Sequence, residues 1–163
     1  MDEVDRILAA WQRETPSLDL APLQVFSRVW RLSRHLDLTR REAFARHGLD
    51  VWEFDVLAAL RRSGKPYELS PGSLIHETLS TSGTMTNRID RLVGRGMVER
   101  RPDPHDRRGV RVRLLAPGRA AVEAALADLV DAERGLLAGL TPEQVEQSAA
   151  LLRHLLQPFE GNA

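Results

Sequence analysis

Four positions along residues 82–95 recur at spacings that put them on one side of a helix. If Met85, Ile89 and Leu92 mark the apolar side, a turn of about 100° per residue leaves Gly83, Thr84, Asn87 and Arg91 most nearly opposite. Asn and Arg can bond bidentately to adenine and guanine edges, and Thr can bond a phosphate or touch a thymine methyl. Ser82 and Thr86 complete this candidate set for contacts with nucleic acid. An amphipathic surface helix with ordinary polar residues is the competing reading. The residues beyond the helix narrow the choice. Gly94 and Gly96 stop the helix, and two short β-prone runs, residues 97–101 and 110–114, flank a tip containing Asp106, Arg107, Arg108 and Gly109. Arginines at such a tip can enter a narrow minor groove or bind phosphates, held in place by the carboxylates. A merely solvated hairpin tip is the alternative.

The elements that must position these residues can be read from periodicity. Residues 4–14 carry Val4, Ile7, Leu8 and Trp11 at helical spacing before Pro16. A long helix then runs from about Asp19 to Phe44 and stops at His47-Gly48. Residues 51–62 are apolar on almost every side and belong in the core. Ser70-Pro71 caps a short helix that ends near Leu79, immediately before the candidate groove helix. Beyond the hairpin, Val122, Leu126, Leu129 and Leu136 form one stripe, and Thr141-Pro142-Glu143-Gln144 is a capping box opening a last helix. In that helix Val145, Ala149, Leu152 and Leu156 repeat at 4-3-4 spacing, a seam suited to another helix. Packing within the chain and a dimer interface both satisfy these stripes. The helices at the two chain ends have no obvious sheet to cover, which favours the dimer.

With 163 residues the chain suffices for one domain, or one protomer of an interlocked dimer, and is too short for two well-buried domains. Its 23 basic and 23 acidic residues cancel, but unevenly. Residues 1–80 have a balance of −1, residues 81–119 of +6 and residues 120–163 of −5. A local excess of positive charge in a neutral protein is the footprint expected for a polyanion partner. Arginine outnumbers lysine 22 to 1 throughout, so arginine richness is not itself a signal. No apolar run approaches the roughly 20 residues of a membrane span, the start is acidic, and there is no cysteine. These features fit a cytoplasmic protein and exclude thiolate metal sites, cysteine nucleophiles and oxidation sensing by thiols. Histidines at 35, 47, 76, 105 and 154 are scattered, with no HExxH pair, phosphate loop or G-x-S-x-G turn. No enzyme activity, catalytic residue, metal or cofactor is expected.

Helix, tight connection, helix and basic-tipped hairpin over residues 70–115 is the order of a winged helix-turn-helix. The run Thr86-Asn87-Arg88-Ile89-Asp90-Arg91-Leu92, the glycine-stopped turn, the R-x-D-x-x-D-x-R wing from Arg101 to Arg108 and Gly118 resemble the MarR family of bacterial transcription regulators. The element order fits over nearly the whole chain. One departure is visible: the family often has a capping threonine after the second wing strand, where this chain has Leu115. The resemblance implies a homodimer reading a pseudo-palindromic operator, often a repressor relieved by a small ligand.

The opening residues 4–11 and the stretch from Glu53 to Gly64 look like the PecS-type, urate-responsive branch. That resemblance implies a ligand response through Trp11, Asp55, Arg62 and Arg88. Asp55 and Arg62 are seven apart on one face of the core helix, with Ala58 and Ala59 leaving room for a small planar molecule. Arg88 lies about 85° from the centre of its helix's apolar stripe, where a long side chain can turn inward to Asp55. Urate is a planar anion, so Arg62 can hold it while Trp11 covers its ring. Displacement of an Asp55–Arg88 pair would then move the recognition helix. A structural ion-pair network with Trp11 in the core is the alternative.

The expected fold is therefore mostly α with a small β-hairpin. It is a single MarR-like domain over residues 1–163, with a winged lobe at 51–115 and dimerisation helices at 2–47 and 117–158. The expected partners are double-stranded DNA, a second copy of the chain and a small anion, urate being the first candidate, and no membrane. A phenolic carboxylate or another purine-pathway metabolite is the alternative ligand, and a helical adaptor that does not bind DNA is the rival class.

Overall fold

The computed structural model describes residues 1–104, 106 and 109–160. Among them the order is α1 (Glu3–Glu14), α2 (Ala21–Ala45), α3 (Val51–Arg62), β1 (Glu68–Leu69), α4 (Pro71–Thr78), α5 (Ser82–Gly94), β2 (Val98–Pro102), β3 (Val110–Leu114), α6 (Ala116–Leu137) and α7 (Pro142–Glu160). The expected helices and hairpin are present. The addition is β1, which pairs antiparallel with β3 through Glu68 opposite Arg113 and Leu69 opposite Val112. β3 is thus the central strand of three.

Local chemistry accounts for the element ends. The Ser70 hydroxyl accepts from the Ser73 N–H, and the Thr81 hydroxyl accepts from the Thr84 N–H at the start of α5. Gly96 turns the chain out of α5 at φ +65°, a conformation that favours glycine. The break between α4 and α5 is made instead by Leu79, at φ 49°. The Thr141–Gln144 box closes reciprocally at the start of α7. Leu115 supplies no side-chain cap to α6, and a proline in its first turn takes one unsatisfied donor away.

The core belongs to the lobe. Leu57 and Leu60 of α3, Leu74 of α4, Met85, Ile89 and Leu92 of α5, Val98 of β2 and Val112 of β3 are fully buried together. Phe44 of α2 stacks on Phe54 of α3 with ring centroids 3.8 Å apart, joining the long helix to this core. The remainder is less complete. α1 rests on α2 through a separate cluster of Val4, Leu8 and Leu20, reinforced by Arg28 with Asp2 and Asp5 and by Arg31 with Glu3. The expected α6 stripe splits, with Val122 and Leu129 buried and Leu126 and Leu136 half exposed. α7 buries no residue, and Leu151, Leu152, Leu155, Leu156 and Phe159 all face outward. No helix among the described residues is long and apolar enough to cross a membrane.

Candidate nucleic-acid interface and ligand cleft

The face of α5 opposite its buried stripe is open. Ser82, Gly83, Thr84, Thr86, Asn87 and Arg91 are all exposed, while Met85, Ile89 and Leu92 are sealed beneath them. The helix starts at the Thr81 cap, and the Asp90–Arg100 pair ties it to the first wing strand. The wing is held by charge pairs. Arg100 of β2 reaches Asp90 of α5 at 2.5 Å, Arg111 of β3 reaches Asp103 at 2.6 Å, and Arg101 reaches Glu99 at 2.6 Å. Cross-strand register sets Arg101 opposite Arg111, and the carboxylates offset the repulsion of that pairing. Arg107 and Arg108, expected to contact DNA, lie outside the described residues, as does His105.

The first turn of α3 supports α5 from behind. Glu53, 2% exposed, accepts from Arg95 Nη1 at 2.6 Å through Oε2 and from the Asp50 backbone N–H at 2.9 Å through the same atom. Arg95 Nη2 also donates to the Gly48 carbonyl. The Trp52 ring lies under two guanidinium groups, 5.5 Å from Arg88 and 4.8 Å from Arg91. Asp50, Trp52, Glu53, Arg88 and Arg95 were not recognisable as one assembly, because nothing in sequence spacing relates α3 to α5. The Asp50-x-x-Glu53 capping pattern was the one available signal.

An open cleft of about 560 Å³ adjoins this support, lined in part by Asp37, Arg41, Trp52, Asp55 and Arg88. Asp55 and Arg88 therefore share a cleft, as expected. They do not form the expected pair: Asp55 Oδ1 accepts from Arg40 Nη2 of α2 at 3.1 Å. Burial pushes the Asp55 carboxyl above its ordinary value, against the opposing pull of Arg40, Arg88 and Arg62. Arg62 pairs with Glu77 at 3.2 Å and lines a different, apolar groove with Phe54, Ala58, Val122 and Leu126. Ala58 and Ala59 are buried; Ala58 lines the groove beside Arg62, and neither alanine lines the cleft beside Asp55. Trp11 is 52% exposed on α1 and does not line the cleft. Among the described residues no group of three His, Cys, Asp or Glu side chains could hold a metal ion.

A helix-turn-helix whose second helix shows a polar face beside a cationic hairpin is the arrangement of a DNA-binding transcription regulator. Comparison with known proteins agrees. A family model described as "MarR family" matches residues 47–109. The HTH-type transcriptional regulator PecS of Dickeya dadantii is 35% identical over 150 residues, covering 92% of this chain and 90% of that protein. The chain belongs to the MarR family. Among solved structures, a C80S mutant of Escherichia coli MarR complexed with operator DNA aligns at TM-score 0.68 and 27% identity, covering 90% of this chain and 97% of that one. Bordetella bronchiseptica BpsR aligns at TM-score 0.61 and 29% identity, covering 78% and 91%; its structure is described as the mechanism for regulation of DNA binding by 6-hydroxynicotinic acid.

Proposed function

We propose that the chain is a homodimeric repressor that reads a pseudo-palindromic operator and is released by a small planar anion, with urate the first candidate. Ser82, Gly83, Thr84, Thr86, Asn87 and Arg91 enter the major groove, and Arg107 and Arg108 of the wing reach the adjacent minor groove or phosphates. The observation that carries this reading is the exposed polar face of α5, a helix tied to the wing through Asp90 and Arg100. Support for the dimer comes from the apolar faces that one chain leaves bare on α2, α6 and α7, Phe26, Trp30, Leu126, Leu152 and Leu156 among them. Residues 2–47 and 117–158 would bury one another across a two-fold axis, in the cytoplasm where the operator lies.

Asp55, Arg62, Arg88 and Trp11 are the proposed ligand residues. The cleft beside Asp55 and Arg88 supports the site, because its walls combine Trp52 with the arginines 41 and 88. An anion there competes with Asp55 for the arginine charges around it and draws Arg88 away from α5's resting position. Release of DNA is then limited by the ligand's differential affinity for the two conformations. Trp11 and Arg62 enter through the family resemblance alone. A phenolic carboxylate is the second reading, favoured by the description of the BpsR relative as regulated by 6-hydroxynicotinic acid, another planar ring acid.

The test is fluorescence anisotropy on a duplex selected by the wild-type protein from a random-sequence pool, titrated with urate, salicylate and 6-hydroxynicotinate. Urate should lower operator affinity, and Arg88→Ala and Arg62→Ala should blunt the response. An Arg62→Ala protein that responds like the parent removes Arg62 from the site. A response to salicylate alone transfers the assignment to the phenolic class.

A further inference from the structure

Arg88, Arg91 and Arg95 succeed one another at i, i+3 and i+7, so they form a single stripe along α5 and its C-cap. All three are held by the first turn of α3. Arg95 is taken by Glu53, while Arg88 and Arg91 lie over the Trp52 ring. The ring itself is anchored, because Trp52 Nε1 donates to Asp50 Oδ2 at 3.2 Å. The same oxygen lies 3.8 Å from Arg91 Nη2. Asp50, Trp52 and Arg91 therefore close a triangle in which one carboxylate oxygen faces both the indole N–H and the guanidinium.

We infer that Trp52 is a positioning residue for operator binding: it holds the Arg91 guanidinium in place over its ring, so that a long, half-exposed side chain meets DNA already ordered. The inference rests on the assignment of Arg91 to the DNA-facing set. An unrestrained arginine loses rotamer freedom on binding, and a side chain held beforehand loses less. A guanidinium held over an aromatic ring by its charge does not spend its N–H donors on that contact and keeps them available for an acceptor. The indole surface thus fixes the cation without consuming the groups that read a base edge or phosphate.

Operator affinity is measured for Trp52→Leu, Trp52→Phe, Arg91→Ala and the Trp52→Leu/Arg91→Ala double variant, on the selected duplex at one salt concentration. Arg91→Ala should weaken binding about tenfold. Trp52→Leu should weaken it about fivefold, and Trp52→Phe, which keeps a ring face, less than about twofold. In the Arg91→Ala background the Trp52→Leu substitution should cost less than about twofold, because the group it positions is gone. Equal costs in both backgrounds overturn the inference and leave the DNA-facing assignment intact. An Arg91→Ala protein that binds like the parent refutes that assignment and the inference with it. Thermal midpoints accompany each measurement. If Trp52→Leu reduces the folded population, Asp50→Asn keeps a capping side chain and loosens the same triangle. It should weaken binding about twofold, again only where Arg91 is present, and a loss independent of Arg91 overturns the inference.

Discussion

Arg95, the residue that closes the C-terminal end of α5, spans two acceptors from outside its own helix, Glu53 Oε2 at 2.6 Å and the Gly48 carbonyl at 2.8 Å. Glu53 is otherwise enclosed, and its Oε1 has no hydrogen-bond partner among the described residues. Removing the guanidinium leaves a buried carboxylate without its counter-charge. Arg95→Ala should therefore destabilise the fold by about 2 kcal/mol, discounted because Arg95 itself is partly exposed and water can take its place. Arg95→Lys should recover only part of this, since one ammonium cannot reproduce the two-pronged reach. Denaturant unfolding at fixed protein concentration checks both variants. An Arg95→Ala midpoint equal to the parent's would show that the clamp contributes nothing.

Asp55 gives the pH-dependent expectation. Its folded pKa is raised, mainly by burial, so the folded state holds the proton more tightly than the unfolded chain, whose ordinary value is 3.8. Its favourable contribution is then fully present below about that ordinary value and is lost as pH rises through the raised one. At neutral pH the ionised carboxylate is a net burden on the fold, despite the nearby Arg40. Asp55→Asn should accordingly raise the thermal midpoint at pH 7, and the difference should shrink as pH falls through the raised value and be gone below about 4. Midpoints of both proteins recorded from about pH 7 to about pH 3.5 test this; a gain that grows toward acid would reverse the sign of the argument.

Gly118 illustrates a conflict between two magnitudes. It lies in the first turns of α6, where alanine would gain about 1 kcal/mol of helix propensity over glycine. A methyl group there would collide with the Met97 carbonyl oxygen and come within 3.0 Å of Leu114 Cδ1. The carbonyl cannot easily yield, because it also accepts the Leu115 N–H at 2.9 Å. Crowding of this kind costs about 1–3 kcal/mol and should win. Gly118→Ala is expected to lower stability by about 1–2 kcal/mol and to loosen the base of the wing, weakening operator binding as well. A midpoint above the parent's would mean that α6 can shift away from β2 at no cost.

The sequence made the helices legible where the signals were local. Periodicity set the bounds of α3, Ser70 and Thr141 announced the starts of α4 and α7, and the missing cap at Leu115 is missing in the structure. β1 was invisible because two residues, Glu68 and Leu69, offer no alternation to detect. The site was legible by half. One face of α5 could be read by helical arithmetic, since exposure on an amphipathic helix is fixed by its own buried stripe. The partners of Asp55, Trp52 and Glu53 are tertiary, with Arg40 arriving from α2 and Arg88, Arg91 and Arg95 from α5 and its end. Even Asp55 and Arg62, correctly placed on one helix, open onto different surfaces because α6 covers the side nearer Arg62.

The seam of α7 supplies the sharpest test of assembly. Leu152 and Leu156 are about half exposed, and the helix that carries them buries no residue in its own chain. In an isolated protomer a Leu152→Glu substitution would touch nothing in the core and should be close to neutral, within about 0.5 kcal/mol. In a two-fold dimer the same change places two carboxylates in an apolar seam, each costing several kcal/mol unless paired, roughly more than a hundredfold in the dissociation constant. Sedimentation velocity at micromolar protein should show the parent as a dimer and Leu152→Glu/Leu156→Glu as a monomer. Operator affinity should fall with it, because one lobe can then engage only half of a palindromic site at a time. A double variant that remains dimeric and binds DNA normally would remove α7 from the interface and leave its outward leucines without a partner.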